Sequence, residues 1–293
     1  MSENTKQTTP SINVSKAREY LSNWINRLNR YEKYVYQLCE ITEGVYWTKI
    51  KQFNHALGVY SDPINDHYWT LVIGLTVRKD QFNGLVDEVE LFFTKLNKKH
   101  SYYLYPADQR GYNNLLRKRG FRIAIRDNYM FHRGGAFYAP PINPHIQVKK
   151  VTNTSENEIY IDTYSRAFET DPNDVYFDYS EGNVYQEIYR KTWLDKKVRE
   201  KVHRFVAFYD GKPGAIGALY FNNGLGYLSE IGTDPKFRKQ GMATAISIAC
   251  LETANREKCK TIMLITEGNS PAYRLYKKLG FSTKVVCHGW TKA

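Results

Sequence analysis

Cysteine is scarce in this 293-residue chain: Cys39, Cys250, Cys259 and Cys287 are the four, and no two stand at the close spacing of a metal knuckle. That excludes a disulfide scaffold and a cysteine-based zinc site; no metal is expected, and reduced thiols in a cytoplasmic setting are the plain reading. Long apolar runs are missing too. None approaches the roughly 18 residues that cross a bilayer, and residues 1–10 hold no apolar signal core, so a soluble, unsecreted protein with no membrane partner is expected. A clustered basic stripe is a third absence. The net charge of +12 divides into 20 Lys and Arg against 13 Asp and Glu up to His145, and 22 against 17 beyond it. An excess spread so evenly concentrates anionic ligands near the surface without marking a nucleic-acid track. A nucleic-acid partner is therefore not expected.

What is present is a globular composition. Hydrophobic residues make up 42% of the chain, and tyrosine alone contributes 24 residues. Each half can bury a core, and the length fits two domains of roughly 100–200 residues. Residues 1–14 read as a disordered tail. Apolar spacing predicts a helix over 15–36, a strand over 69–77, helices over 85–96 and 110–119, and strands over 101–105 and 122–130. Three prolines in the stretch Tyr-Ala-Pro-Pro-Ile-Asn-Pro, residues 138–144, forbid regular helix. A linker over 138–145 then separates a first lobe, 15–137, from a second, 146–293. The second restarts as β-α-α-β-β-β-α-β-α-β, with turn signals at Asp210-Gly211 and Asn223-Gly224. The heptapeptide Leu-Leu-Arg-Lys-Arg-Gly-Phe at 115–121 echoes Leu-Tyr-Lys-Lys-Leu-Gly-Phe at 275–281, an offset of 160 that points to an internal repeat.

Two segments of the second half carry chemistry. Residues 232–244 read Gly-Thr-Asp-Pro-Lys-Phe-Arg-Lys-Gln-Gly-Met-Ala-Thr, a strand end turning into a helix rich in small residues. Unpaired N–H groups and the positive end of a helix dipole make such a junction a phosphate site. Gly241 lets a diphosphate approach the backbone, while Arg238 and Lys239 add charge. Residues 269–281, from Asn269 through Tyr273 and Tyr276 to Phe281, follow an apolar strand, with Ala272 and Tyr276 on one helix face.

Together these segments resemble the GNAT acyltransferase superfamily. Arg238-x-x-Gly241-x-Ala243 is similar to the family's cofactor loop. Asn269 and Tyr276, seven residues apart and followed by Gly280-Phe281, are similar to its later motif, and the order of elements agrees over residues 147–290. The implied fold is α/β (α+β): two GNAT-like lobes, each a mixed, mostly antiparallel sheet flanked by helices. The first lobe looks like a degenerate copy, because its loop at 78–84 lacks the Arg-x-x-Gly-x-Ala pattern and Leu116 stands where the second has Tyr276. The resemblance implies acetyl-CoA as cofactor and coenzyme A as product, held by Ile231, Gly232 and Thr233, by Arg238, Lys239, Gln240, Gly241, Met242, Ala243 and Thr244, and by Asn269 and Tyr273. The implied reaction is N-acetylation of a primary amine on a small molecule or peptide by direct attack in a ternary complex, with Tyr276 protonating the leaving thiolate.

Glu230 is the candidate base and Tyr227 the fallback. Strict strand alternation turns Glu230 away from Ser229 and Ile231; a bulge, frequent near active sites, reverses that phase. In the segment between the first two helices of this half, Tyr176 and Asp178 are expected to meet a cationic amine through ring face and charge. A non-catalytic acyl-CoA sensor or protein-binding scaffold stays open as the alternative, and a monomer and a homodimer are equally compatible with the sequence.

Overall fold

The structure, a computed structural model, describes residues 21–169 and 184–292. The tail at 1–14 and the acceptor residues Tyr176 and Asp178 lie outside the described residues. The first half opens with α1 (Ser22–Arg27) and α2 (Arg30–Ile41). The single helix expected over 15–36 is broken because Leu28 is extended and Asn29 starts a new helix. The Asn29 side chain accepts from the amides of Tyr31 and Glu32 at 2.8 and 3.1 Å, and Glu32 Oε2 accepts from Asn29 N at 2.8 Å. This capping box satisfies end donors that a continuing helix would pair internally.

Next come the hairpin β1 (Lys49–Phe53) and β2 (Ala56–Tyr60), absent from the sequence expectation, and then β3 (Thr70–Ile73), α3 (Phe82–Lys95), β4 (Ser101–Leu104), α4 (Pro106–Lys118) and β5 (Arg122–Arg133). The second half holds β6 (Ile146–Lys150), α5 (Thr154–Tyr164) running into a π turn (Ser165–Glu169), α6 (Val184–Leu194), the short α7 (Lys196–Arg199), β7 (Val202–Tyr209), β8 (Lys212–Asn222), β9 (Leu225–Thr233), α8 (Met242–Arg256), β10 (Thr261–Thr266), α9 (Pro271–Lys278) and β11 (Ser282–Thr291).

All strands join one sheet in the order β1-β2-β3-β4-β11-β5-β10-β9-β8-β7-β6. Among the strands of the described residues, only β3–β4 and β9–β10 pair in parallel. The closing strands are exchanged. β5, from the first half, pairs with β10 of the second, and β11, from the second, pairs with β4 of the first. β5 and β11 also pair antiparallel with each other at the centre. Mixed, mostly antiparallel sheets with flanking helices are thus present in both halves, fused edge to edge.

Residues alternate between the two faces along the strands. One face buries α1 and α2 of the first half and α5 and α6 of the second in a single core that includes Trp24, Tyr129, Tyr160, Tyr189 and Tyr220. The opposite face holds two separate cores. One lies under α8 and α9 with Leu228, Ile246 and Tyr276, and the other under α3 and α4 with Val72, Phe93 and Leu116.

Candidate active site

Parallel pairing of β9 with β10 runs from Leu225↔Thr261 to Leu228↔Leu264 and stops there, although both strands continue. A cavity of about 500 Å³ opens at the divergence. Its lining joins Ser229, Glu230 and Ile231 of β9 to Ile265 and Thr266 of β10 and to Tyr276 of α9. It also takes Asp127 from β5 and Tyr46, Tyr68 and Trp69 from the first half.

Glu230 owes its orientation to the backbone. Ala218 pairs with Ser229 and Ile216 with Gly232, so Gly217 alone opposes both Glu230 and Ile231. Glu230 takes the extra position of this bulge with φ of +58°, in the left-handed region that non-glycine residues seldom enter. The bulge needs Gly217: a Cβ there would sit 2.4 Å from Ile246 Cγ2 and 3.1 Å from Ile231 Cγ1. Its effect is the phase reversal. Ile231 packs into the core under α8, while Glu230 reaches the tyrosine-rich face.

There Glu230 accepts hydrogen bonds from three phenols, Tyr46 and Tyr220 on Oε1 and Tyr160 on Oε2. Tyr189 Oη lies 3.2 Å from Tyr46 Oη. Burial, and then the charge of Glu230, raise Tyr46, Tyr160 and Tyr220 well above the ordinary phenol range, so they stay protonated as donors. Behind them Arg204, 2% exposed, bonds Asn157 Oδ1 at 2.6 Å and Thr192 Oγ1 at 2.8 Å, with its guanidinium over the Tyr160 and Tyr189 rings at 5.5 and 5.1 Å. The carboxylate at the cavity is thus backed by a buried cation.

Beyond Thr233 the chain makes a one-turn 3₁₀ helix (Pro235–Phe237) capped by Asp234, whose Oδ1 accepts from Lys236 N at 3.0 Å and whose Oδ2 accepts from Arg166 Nε at 2.9 Å. Lys239 and Gly241 take φ of +64° and +93°, and Gly241 is the N-cap of the 15-residue α8. Arg238, Lys239 and Gln240 are exposed around this turn, Ala243 and Thr244 are half-buried, and Met242 is buried beneath. A left-handed turn at a helix start aims successive N–H groups outward, the arrangement that binds phosphate oxygens. In the first half none of residues 78–84 has positive φ, and α3 begins at Phe82 without such a turn.

Tyr276 is buried in the core under α8 and α9 yet touches the cavity, makes no hydrogen bond among the described residues, and has its phenol pushed up by burial. Tyr273 is half-buried one turn earlier, its Oη accepting from Thr283 Oγ1 at 3.4 Å. Asn269 is exposed with φ of +63° at the entry to α9; it and Tyr273 stand outside the cavity lining. Tyr227, the fallback base, is buried on the lining of the same cavity.

Sequence reasoning makes the first half a structural or substrate-shaping lobe but names none of its residues for the site. Tyr46 stacks on Trp69 at 4.1 Å, and Trp69 Nε1 donates to Tyr185 Oη at 2.9 Å. Asp127 is buried on β5, its Oδ2 accepting from Tyr103, whose hydroxyl is 2.8 Å from Tyr129 Oη. Burial pushes Asp127 up to about 7, opposed by the Tyr103 bond and reinforced by the charge of Glu267. Among the described residues no cluster of His, Cys, Asp and Glu suits a metal, and no helix is long and apolar enough to cross a membrane.

Residues 157–281 match the acetyltransferase (GNAT) family, whose cofactor is acetyl-CoA, and this part of the chain is a GNAT domain. The chain is 25% identical over 150 residues to a mycothiol acetyltransferase of Saccharomonospora viridis, covering 49% of this chain and 48% of that one. It spans about half the length of the curated relatives it matches. In fold it is similar to a GCN5-related N-acetyltransferase from Kribbella flavida, with a TM-score of 0.65 and 15% identity over 88% of this chain and 95% of that one. It is also similar to a tandem GNAT protein from the clavulanic acid biosynthesis pathway, with a TM-score of 0.58 and 12% identity over 80% and 77% of the two chains.

Proposed function

We propose that residues 146–293 transfer an acetyl group from acetyl-CoA to a primary amine, on a small molecule or peptide, by direct attack in a ternary complex, and that residues 15–137 shape the acceptor side without binding cofactor. One observation carries the reading. The bulge at Glu230 turns a carboxylate into the cavity where β9 and β10 part and where Tyr276 also lies.

In this reading the turn at Arg238, Lys239, Gln240 and Gly241, with Met242, Ala243 and Thr244, holds the pyrophosphate. The backbone of Ile231, Gly232 and Thr233 bonds the pantetheine arm, and Asn269 and Tyr273 flank it. An alkylammonium, with a pKa near about 10.4, must first lose a proton. Glu230 accepts it directly or through water. The freed lone pair attacks the thioester carbon, and strand N–H groups stabilise the oxyanion. As the C–S bond breaks, Tyr276 gives its proton to sulfur; the nitrogen releases its remaining extra proton to water, Glu230 passes on to solvent the proton it took, and Tyr276 is reprotonated from solvent. A phenol raised by burial holds its proton until a thiolate develops beside it.

Calorimetry with acetyl-CoA, followed by free-thiol release across a panel of amines, tests the reading. Binding with amine-dependent thiol release is expected. Binding with no release from any amine establishes the non-catalytic sensor instead, and no binding at millimolar cofactor overturns both.

A further inference from the structure

In a chain of net charge +12, the cavity lining contains Asp66, Asp127, Glu230 and Glu267 and, among the described residues, no Lys, Arg or His. Two of these carboxylates stand on opposite sides of it. Glu230 projects from β9. Asp127 comes from β5, beyond β10, where Asn128 pairs with Thr266. Two paired-strand spacings amount to about 10 Å, and because β9 and β10 have already parted at this level the backbones stand wider than that.

Asp127 is 7% exposed. Its Oδ2 is taken by Tyr103, but Oδ1 makes no hydrogen bond among the described residues, and the residue lines the cavity. Oδ1 is not among the fully buried unpartnered atoms, so it keeps some exposure, and a donor arriving in the cavity that Asp127 lines can pair with it. Aromatic rings wall the space between the two acids, with Trp69 and Tyr46 on the first-half side. Ring faces attract cations and exclude anions, and they cover the alkyl segment of a chain whose ends are charged.

Resting on the acetyl-transfer reading, we propose that the acceptor is a short diamine gripped at both ends: Glu230 faces the amine to be acetylated, and the first half's Asp127 binds the second ammonium through Oδ1. No bond is made or broken at Asp127, which orients the substrate and selects for its second charge. Carboxylates more than about 10 Å apart at the backbone, each reaching inward, leave room between them for a few methylenes. The two halves then divide the acceptor, with the second providing the chemistry and the first the specificity.

The test compares putrescine with n-butylamine, which have the same four-carbon skeleton and differ in one ammonium. Calorimetry on the full chain, with and without coenzyme A, reads binding; free-thiol release with acetyl-CoA reads kcat and KM. Putrescine is expected to bind at least about tenfold more tightly than butylamine and to show the lower KM. Asp127→Asn keeps an acceptor for Tyr103 and is expected to remove most of that preference through KM rather than kcat, with Asp127→Glu retaining part of it. Lowering the pH through about 7 should weaken putrescine binding as Asp127 protonates.

Equal affinity of the wild type for the two amines overturns the two-ended grip even if Asp127→Asn does not fold. A preference retained in a folded Asp127→Asn protein overturns the assignment to Asp127. Failure of acetyl-CoA to bind overturns the enzymatic reading alone, because the amine titrations are read separately.

Discussion

Asp127 and Cys287 face each other across the β5–β11 pair and stand 160 residues apart, the same offset that relates the two Leu-rich heptapeptides. Equivalent positions of a repeat meet directly only where the approximate two-fold axis relating the copies passes between them. The axis therefore runs through the centre of the sheet, and the parallel pairs β3–β4 and β9–β10 are its mirrored outer parts. On one side the shared position is an acid that lines the cavity; on the other it is a buried thiol, raised by burial.

Replacing Glu230 by Gln keeps the shape of the side chain, and its carbonyl can still accept from Tyr46 and Tyr220 while Tyr160 must turn acceptor, but it removes the proton acceptor. Turnover is expected to fall by about 10²-fold or more, while acetyl-CoA affinity changes little. Steady-state thiol release beside calorimetry checks this; unchanged kcat excludes Glu230 as the base.

Tyr276→Phe leaves the ring packed beside Phe281, at 6.0 Å between centroids, and deletes only the hydroxyl. A loss in kcat of about 10-fold or more with near-normal cofactor binding is expected. Turnover equal to wild type assigns thiolate protonation to another group.

Gly241→Asp should abolish acetyl-CoA binding. A side chain at φ of +93° is strained, and a carboxylate would face the diphosphate at the start of α8. Gly217→Val tests the bulge instead. With Ile246 and Ile231 so close, a loss of stability of about 1–3 kcal/mol and misplacement of Glu230 are expected, read by denaturant titration and thiol release. Tight cofactor binding by the first variant, or full activity in the second, contradicts these roles.

Two buried acids set a pH dependence of stability. Burial lifts Asp127 to about 7 and Asp108, bonded by Trp24 Nε1, to about 6. In the unfolded chain both ionise near about 4. Above that pH the unfolded state releases protons that the native state retains, so their contribution to stability falls as pH rises from about 4 to about 7 and then levels off. Urea titrations across this range should show Asp127→Asn losing its share of the decline. A wild-type slope of the opposite sign, unaltered by the substitution, contradicts the burial of this acid.

Much of the second half was legible because its signals are local. Turn residues bracket β8, apolar runs mark β9 and β10, and Gly241 and Tyr276 stand at fixed distances from strand ends. β1 and β2 escaped notice because Lys49, Lys51 and Gln52 interrupt the apolar pattern of the first and all five positions of the second are buried, which leaves no alternation to read. The break between α1 and α2 was written in Asn29 and Glu32, three residues apart as a capping box requires. Asp127 was hidden for another reason. Nothing local to residues 122–133 tells which half receives that strand, since partner choice is made over a sequence separation of 128 to 138 residues. The repeat offset alone pointed there, by pairing Asp127 with Cys287.

The exchange of β5 and β11 bears on how the two halves could have diverged. Each closes the other's sheet, so neither can be deleted, swapped for an unrelated module or expressed by itself without leaving an open edge beside β4 or β10. Cleavage within 138–145 should yield fragments that remain associated and that aggregate when separated. In the proposed reading, a half without the phosphate turn is thereby kept under selection as a wall of its neighbour's pocket, free to change what is recognised while the half that binds acetyl-CoA stays constant.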